Sequence, residues 1–329
     1  MLKMSRLLIL IFCFSLALVG CSSGGAKQGT TEGQAKPQEA QGDVRKLNHL
    51  KGEIEIKGTP QRVVVLEWSS LEDVLALGVK PVGAADIDGY KKWVNIKPDM
   101  LEGVTDVGSR VEPNLEIIQS LKPDLIIGVD RIEPFYDKLS DIAPTILFNK
   151  TTEQDPDAYA MMERNLKLAA DALNKQVEGE KVLKEVNDAI AALAGKVKEA
   201  GKADTEFVLV QAFTMKNVPT MRYLSDNSMS AKVFNKLGLK NAFQPTKYVQ
   251  TMEEGGVEAL LPLKKANFFY IVQDDDHIFK NQLKENPVWK NLDFVKENRT
   301  YAMGGDTWLF GGPLSAQLIA ERAVGAFVK

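Results

Sequence analysis

The chain has 329 residues, 44% of them hydrophobic and 26% charged, with a formal charge of −3. That is the balance of a globular protein with material for one large or two medium domains, and it excludes the basic footprint that nucleic-acid binding requires. Two histidines and two cysteines in the whole chain leave little for metal ligation, nucleophilic catalysis or a disulfide framework.

At the N-terminus Lys3 and Arg6 precede an apolar run from Leu7 to Val19. The run is short for a membrane span and suited to a secretory signal. Leu18-Val19-Gly20-Cys21, followed by Ser22-Ser23-Gly24-Gly25, resembles the lipobox of bacterial lipoproteins. That resemblance implies a signal at 1–20 and a lipid-bearing Cys21; a plain signal peptide with an incidental cysteine is the alternative. Cys13 lies inside the signal, so no internal disulfide is expected. Residues 21–43 are Gly, Ser, Thr, Gln, Glu, Lys and Ala with almost nothing to bury, and read as a disordered tether.

Order is expected from Val44. Ile54 and Ile56 alternate with charged residues as in an edge strand, closed by the turn Gly58-Thr59-Pro60. A strand–helix rhythm follows: strand Arg62–Leu66, helix Ser70–Leu77, strand Val79–Ala84, helix Glu112–Leu121, strand Leu125–Val129, helix Pro134–Asp141 and strand Thr145–Phe148. Short Val/Ile/Leu strands alternating with helices argue a parallel α/β sheet. The rhythm then breaks. The spacing predicts one helix from Asp157 to Asn174, with Met161, Leu166, Ala169, Ala170 and Leu173 on one face, and a second from Val177 to Lys198. It resumes with strand Glu206–Val210, helix Ser228–Leu237, helix Val257–Lys264 and strand Phe268–Val272. Two α/β halves joined by a long helix is the simplest architecture, with lobes at 44–153 and 176–329 and a bridge at 154–175. A single continuous sheet is its rival.

Three arginines carry the best case for a ligand site. Arg131 follows the C-terminal end of a strand, where ligands gather in open α/β sheets. Arg110 follows Gly108-Ser109 just ahead of a helix, and Arg222 precedes a helix in the second half. Guanidinium groups grip carboxylates and other hard oxygen anions through paired hydrogen bonds. Singly, each reads as a surface arginine with a nearby acid such as Glu112 or Glu133; together they read as a cleft. Trp68, Tyr90 and Trp93 follow strand ends, and Trp308 sits in the Gly-rich loop 304–312; any of them could line the same cleft or simply pack. Asp274-Asp275-Asp276-His277 is dense in potential metal ligands, but consecutive residues cannot all face one ion and the run reads as a solvated loop. Glu116 and Glu258 form a weak internal echo. Each sits on a predicted helix, five residues ahead of a leucine (Leu121, Leu263) and nine ahead of a strand.

The stretches "VVVLEWSSLEDVLALGVKPVGAADIDGYKKWV" and "DVGSRVEPNLEIIQSLKPDLIIGVDRIEPFYDKLSDIAPTILF" resemble the iron-siderophore substrate-binding lipoproteins of ABC importers, closest to the ferric-citrate (iron-dicitrate) branch. "GGVEALLPLKKANFFYIV" and "DTWLFGGPL" extend the resemblance, more loosely, into the second half. It implies two Rossmann-like α/β lobes joined by one long rigid bridging helix, with ligand in the cleft between them. It implies a binding protein and not an enzyme: a monomer anchored through Cys21 on the extracellular face of a Gram-positive cell membrane, handing a ferric siderophore to a permease. Arg110, Arg131, Arg222, Trp68, Tyr90, Trp93 and Trp308 would face the ligand, and Glu116 and Glu258 the permease. The chelator fills the iron's coordination sphere, so no cofactor and no direct metal ligand are expected. The loop Thr307–Gly312 lacks the cation some relatives carry in the second lobe, with Arg222 and Arg299 as substitutes. The alternatives are a hydroxamate siderophore, cobalamin, or heme on an axial His277 or Met303.

Overall fold

The computed structural model describes residues 44–328; the expected signal, tether and Cys21 lie outside the described residues. The first lobe opens with an antiparallel hairpin of β1 (Val44–His49) and β2 (Gly52–Lys57). There follow β3 (Val63–Val65), α1 (Trp68–Ala76), β4 (Gly83–Ala84), α2 (Ile87–Trp93), β5 (Thr105–Asp106), α3 (Leu115–Ser120), β6 (Leu125–Gly128), α4 (Tyr136–Ser140) and β7 (Thr145–Leu147). Five of these strands form a parallel sheet in the order β5-β4-β3-β6-β7. Its central strands β3 and β6 are wholly buried, which is why they read as unbroken apolar runs. The chain builds outward from β3 to one edge, then crosses back through β6 to the other. The point of reversal, between the C-terminal ends of β3 and β6, is where such sheets leave a crevice.

Next come α5 (Ala158–Leu173) and α6 (Gln176–Glu199). Asp157 caps α5 by accepting from the Tyr159 and Ala160 N–H groups at 2.9 and 3.0 Å. Asn174, at φ 56°, ends it in the left-handed region. The start of α5 packs in the second lobe's core through Tyr159 and Met162, and its end packs in the first lobe's core through Leu166, Ala169 and Leu173. α6 runs back, with Leu183 in the first core and Val186, Ile190 and Val197 in the second. The helical backbone is therefore an antiparallel pair, to which α6 contributes as much as α5.

The second lobe contains β8 (Glu206–Met215), β9 (Val218–Leu224), α7 (Met229–Lys236), β10 (Lys240–Asn241), β11 (Met252–Gly255), β12 (Asn267–Val272), α8 (Pro287–Asn291), α9 (Asp293–Lys296), β13 (Thr300–Ala302) and α10 (Pro313–Phe327). Its sheet runs β11-β9-β8-β12-β13, with β10 beside the start of β8. β8, β12 and β13 are parallel, whereas β9 and β11 are antiparallel to their neighbours. The lobes have separate sheets, so the single-sheet alternative is set aside. The β8–β9 hairpin was not expected. Lys216 and Asn217 both take positive φ, 49° and 65°, the geometry of a two-residue hairpin turn that suits the right-handed strand twist. Arg222 consequently lies within β9 and not on a loop before a helix.

Candidate functional site

Strand ends and one tight turn converge at the reversal point of the first sheet. β3 ends into Glu67 and Trp68, and β6 ends into Asp130 and Arg131. The third element is the turn after β5. Gly108 takes φ +98°, and an added Cβ there would stand 3.1 Å from both the Glu112 carbonyl and the Asn114 nitrogen. Ser109 Oγ accepts the Glu112 N–H at 2.9 Å. Asn114 caps α3 by accepting from the Ile117 N–H at 3.0 Å. The turn is thus closed from both sides, and Arg110 stands at its tip.

Arg110 and Arg131 meet on one carboxylate. Arg110 Nη1 donates to Glu67 Oε1 at 2.7 Å, and Arg131 Nη1 donates to Glu67 Oε2 at 2.9 Å. Glu67 also accepts the Trp68 N–H at 2.8 Å, capping α1. The Arg110 guanidinium carbon sits over the Trp68 ring, 3.5 Å from its centroid, and Arg110 Nε is 3.6 Å from Asp86 Oδ2. A guanidinium stacked on one face and paired on one edge has little freedom left.

Two chambers open between the lobes. The first, with a volume of about 490 Å³, is walled by Glu67, Arg110 and Arg131 on one side, by Met161 and Asn165 of α5 on its floor, and by Arg222, Gln250 and Trp308 opposite. The second, about 510 Å³, holds Trp68, Trp93 and Lys92 against Gln211, Gln273 and Asp275. Arg110, Arg222 and Trp308 border both. Trp308 packs edge-on against Trp68 at 5.0 Å and Trp93 at 6.4 Å, so three tryptophans meet where the chambers join. Volumes of this order suit a small-molecule ligand.

A second carboxylate group fixes the lobes to each other. Glu72 of α1 is fully buried. It accepts from the Gly312 N–H at 2.9 Å, the Ser315 N–H at 2.6 Å and Ser315 Oγ at 2.5 Å. These donors form the first turn of α10, so an acid of the first lobe satisfies orphan N–H groups of the last helix. Gly312 has to be glycine, because an added Cβ would fall 2.7 Å from Asp73 Oδ1 and 3.1 Å from Glu72 Oε1. Asp73 is also buried, and its Oδ1 has no hydrogen-bond partner. Burial first, and the neighbouring Glu72 second, hold its carboxyl well above the usual range. The Trp308 loop is thereby tethered to α1 a few residues from Glu67.

Six of the seven residues expected at the ligand therefore border the chambers: Arg110, Arg131, Arg222, Trp68, Trp93 and Trp308. Tyr90 does not join them. It is fully buried, packed in the first core, with its hydroxyl donating to the Ile96 carbonyl at 3.0 Å. Trp68 is 97% enclosed and spends its indole N–H on the Asp86 carbonyl at 3.1 Å, so it serves Arg110 as a support more than it offers surface. Arg222 donates through Nε to Glu254 at 2.9 Å and through Nη1 to Gln211 at 3.2 Å. Arg299 is away from both chambers, tied to Glu297 and to the Lys265 carbonyl. Glu67, Glu72 and Asp73 were not anticipated. Glu67 was nevertheless detectable, since it follows β3 just as Trp68 does.

Comparison with known proteins decides the class. The model of the periplasmic binding protein family matches residues 63–307. The chain belongs to that family. Its relatives include the Fe(3+)-citrate-binding protein YfmC of Bacillus subtilis (strain 168), 31% identical over 97% of this chain and 95% of that one. Among solved structures, FhuD from Vibrio cholerae bound to Fe3+-Desferal superposes with a TM-score of 0.73 at 26% identity, covering 82% of this chain and 98% of that one. Staphylococcus aureus SirA complexed with staphyloferrin B gives a TM-score of 0.66 at 30% identity, covering 84% and 96%. Family membership bears out the resemblance read from the sequence, including the two-lobed fold.

Glu116 and Glu258 lie away from both chambers. Each is exposed, in the first turn of a short helix, α3 and the 3₁₀ turn Val257–Leu263, leading to β6 and β12 respectively. Each therefore stands on the short helical turn that leads into a buried strand of its own lobe. Among the described residues no cluster of three or more His, Cys, Asp or Glu is arranged to hold a metal ion.

Proposed function

We propose that the protein captures ferric citrate, or a ferric siderophore built on citrate, and delivers it to an ABC permease. The observation that carries this reading is the convergence of Arg110 and Arg131 on the wall of the interlobe chamber. Several of their N–H groups remain available for carboxylate oxygens, in a family whose relative YfmC is named for Fe(3+)-citrate. The chelator supplies the iron's ligands. The protein supplies hydrogen bonds to the chelator's rim and aromatic surface from Trp93 and Trp308. Cys21 carries the lipid anchor that holds the protein on the outer face of the membrane. Glu116 and Glu258 are the docking points for the permease, one on each lobe.

Tryptophan fluorescence of residues 22–329, titrated with ferric citrate and with citrate-based ferric siderophores, tests the reading. Saturable quenching at or below about micromolar ligand, roughly −8 kcal/mol of binding, with none from the iron-free chelators, is expected. No quenching by any member of the set overturns it. Glu116→Ala with Glu258→Ala is expected to leave this titration unchanged and abolish cellular uptake; normal uptake removes the docking role.

A further inference from the structure

Every cation bordering the two chambers already has a carboxylate partner. Lys92 pairs with Asp275 at 2.8 Å, Arg110 with Glu67 and Asp86 at 2.7 and 3.6 Å, Arg131 with Glu67 at 2.9 Å, Lys150 with Asp130 at 3.1 Å and Arg222 with Glu254 at 2.9 Å. Glu67, Asp86, Asp130, Glu254 and Asp275 thus match the five cations; Asp73 and Asp276 also border the chambers without a cation partner among the described residues, Asp276 being spent on the Thr214 N–H and hydroxyl. The partners are not equivalent. Asp86, Asp130, Glu254 and Asp275 have side chains 38–68% exposed; such groups are screened by salt and can turn away when a ligand arrives. Glu67 is 8% exposed. It is pinned by both guanidiniums and by the Trp68 N–H, and it faces the first chamber.

We infer that Glu67 is a specificity-determining residue: a fixed negative charge in the ligand chamber that admits ferric chelates of low net charge and disfavours polyanionic ones. The inference rests on the ferric-chelate reading and narrows it. With Glu67 in place, the Arg110–Arg131 pair offers its spare N–H donors at a net charge of about +1 and not +2. It can still grip oxygen atoms, because each guanidinium has five N–H groups and spends only one on Glu67. Each further negative charge on the ligand gains less from the arginines and is repelled by a carboxylate that cannot withdraw. The chemistry that fits is a citrate backbone with some carboxylates replaced by hydroxamates, in preference to iron wrapped by two citrates.

The test compares wild type, Glu67→Gln and Asp86→Asn by fluorescence titration, at low and physiological salt. The two probes are iron in excess citrate and the iron complex of a citrate bis-hydroxamate. Wild type is expected to prefer the hydroxamate-containing chelate by at least about tenfold. Glu67→Gln should close that gap by about tenfold, ~1.4 kcal/mol, through tighter binding of the dicitrate complex. Asp86→Asn, whose carboxylate is exposed, should change the ratio by less than about threefold. Wild type binding both probes equally, or preferring dicitrate, overturns the inference while leaving the ferric-chelate reading intact. Equal loss of both probes in a folded Glu67→Gln protein also overturns it, since Glu67 would then act only by positioning the arginines. If Glu67→Gln does not fold, the wild-type preference and the Asp86→Asn ratio decide. Failure of both probes to bind wild type removes the ferric-chelate reading and this inference with it.

Discussion

The two walls of the cleft are built on different principles. On the first lobe, Arg110 and Arg131 come off the ends of parallel strands and a doubly closed turn, and they are clamped by a buried carboxylate and an indole face. On the second, Arg222 rides on a hairpin strand, 4.7 Å over the Phe213 ring, and its acid partner Glu254 is 40% exposed. The first wall is set before ligand arrives, and its ordering cost is met on folding. The second is held less tightly, and under the proposed function it would adjust to a ligand held by the first. The neighbours of this fold were solved with different chelates, Fe3+-Desferal in FhuD and staphyloferrin B in SirA.

The comparison breaks most readily at the clamped wall. Arg110→Ala with Arg131→Ala should weaken the ferric chelate by about 100-fold or more, in line with ~3 kcal/mol for a buried charge-assisted pair; titration reads it. Glu72→Gln comes next. Replacing an acceptor of three hydrogen bonds by an amide should cost ~2 kcal/mol and lower the melting temperature by several degrees, as calorimetry would show. Arg222→Ala should cost less than about tenfold in affinity. If it costs as much as the double variant, the two walls are equivalent and the contrast fails. The smallest effect concerns pH. Asp73 has a folded pKa raised above its unfolded value, so the native state holds a proton that the unfolded chain releases. Its contribution to stability is full below the unfolded pKa and is lost as pH rises through the folded one. Lowering the pH toward the unfolded carboxylate value should therefore gain stability through this group, as it does through the neighbouring Glu72, and Asp73→Asn should flatten that slope in chemical denaturation.

How much of this was legible in the sequence depends on the range of the interaction. Local signals read well. Asp157 and Asn174 bound α5 because a cap acceptor and a left-handed stop are properties of single residues. The Met161–Leu173 face is buried as its spacing requires. Tyr90 was misassigned although its own spacing told against it: Ile87, Tyr90 and Val94 recur on one helical face and all are buried, whereas its place after a strand end suggested the cleft. Arg222 was misplaced because the hairpin turn Lys216-Asn217 lacks the usual glycine. Glu67 was passed over because an acid is not sought in an anion site. The Glu72 contact had no local signal at all.

That contact has a consequence for how the molecule comes into being. The donors for Glu72 lie 240 and 243 residues further along the chain. Until α10 exists, Glu72 of α1 lacks these partners and cannot be shut away from water at an acceptable cost. The first lobe, although contiguous in sequence and built from neighbouring strands, is therefore unfinished until the last helix has been synthesised. The order of synthesis and the order of completion run in opposite directions, and a chain stopped before residue 312 is expected to lack a settled first lobe as well as an end.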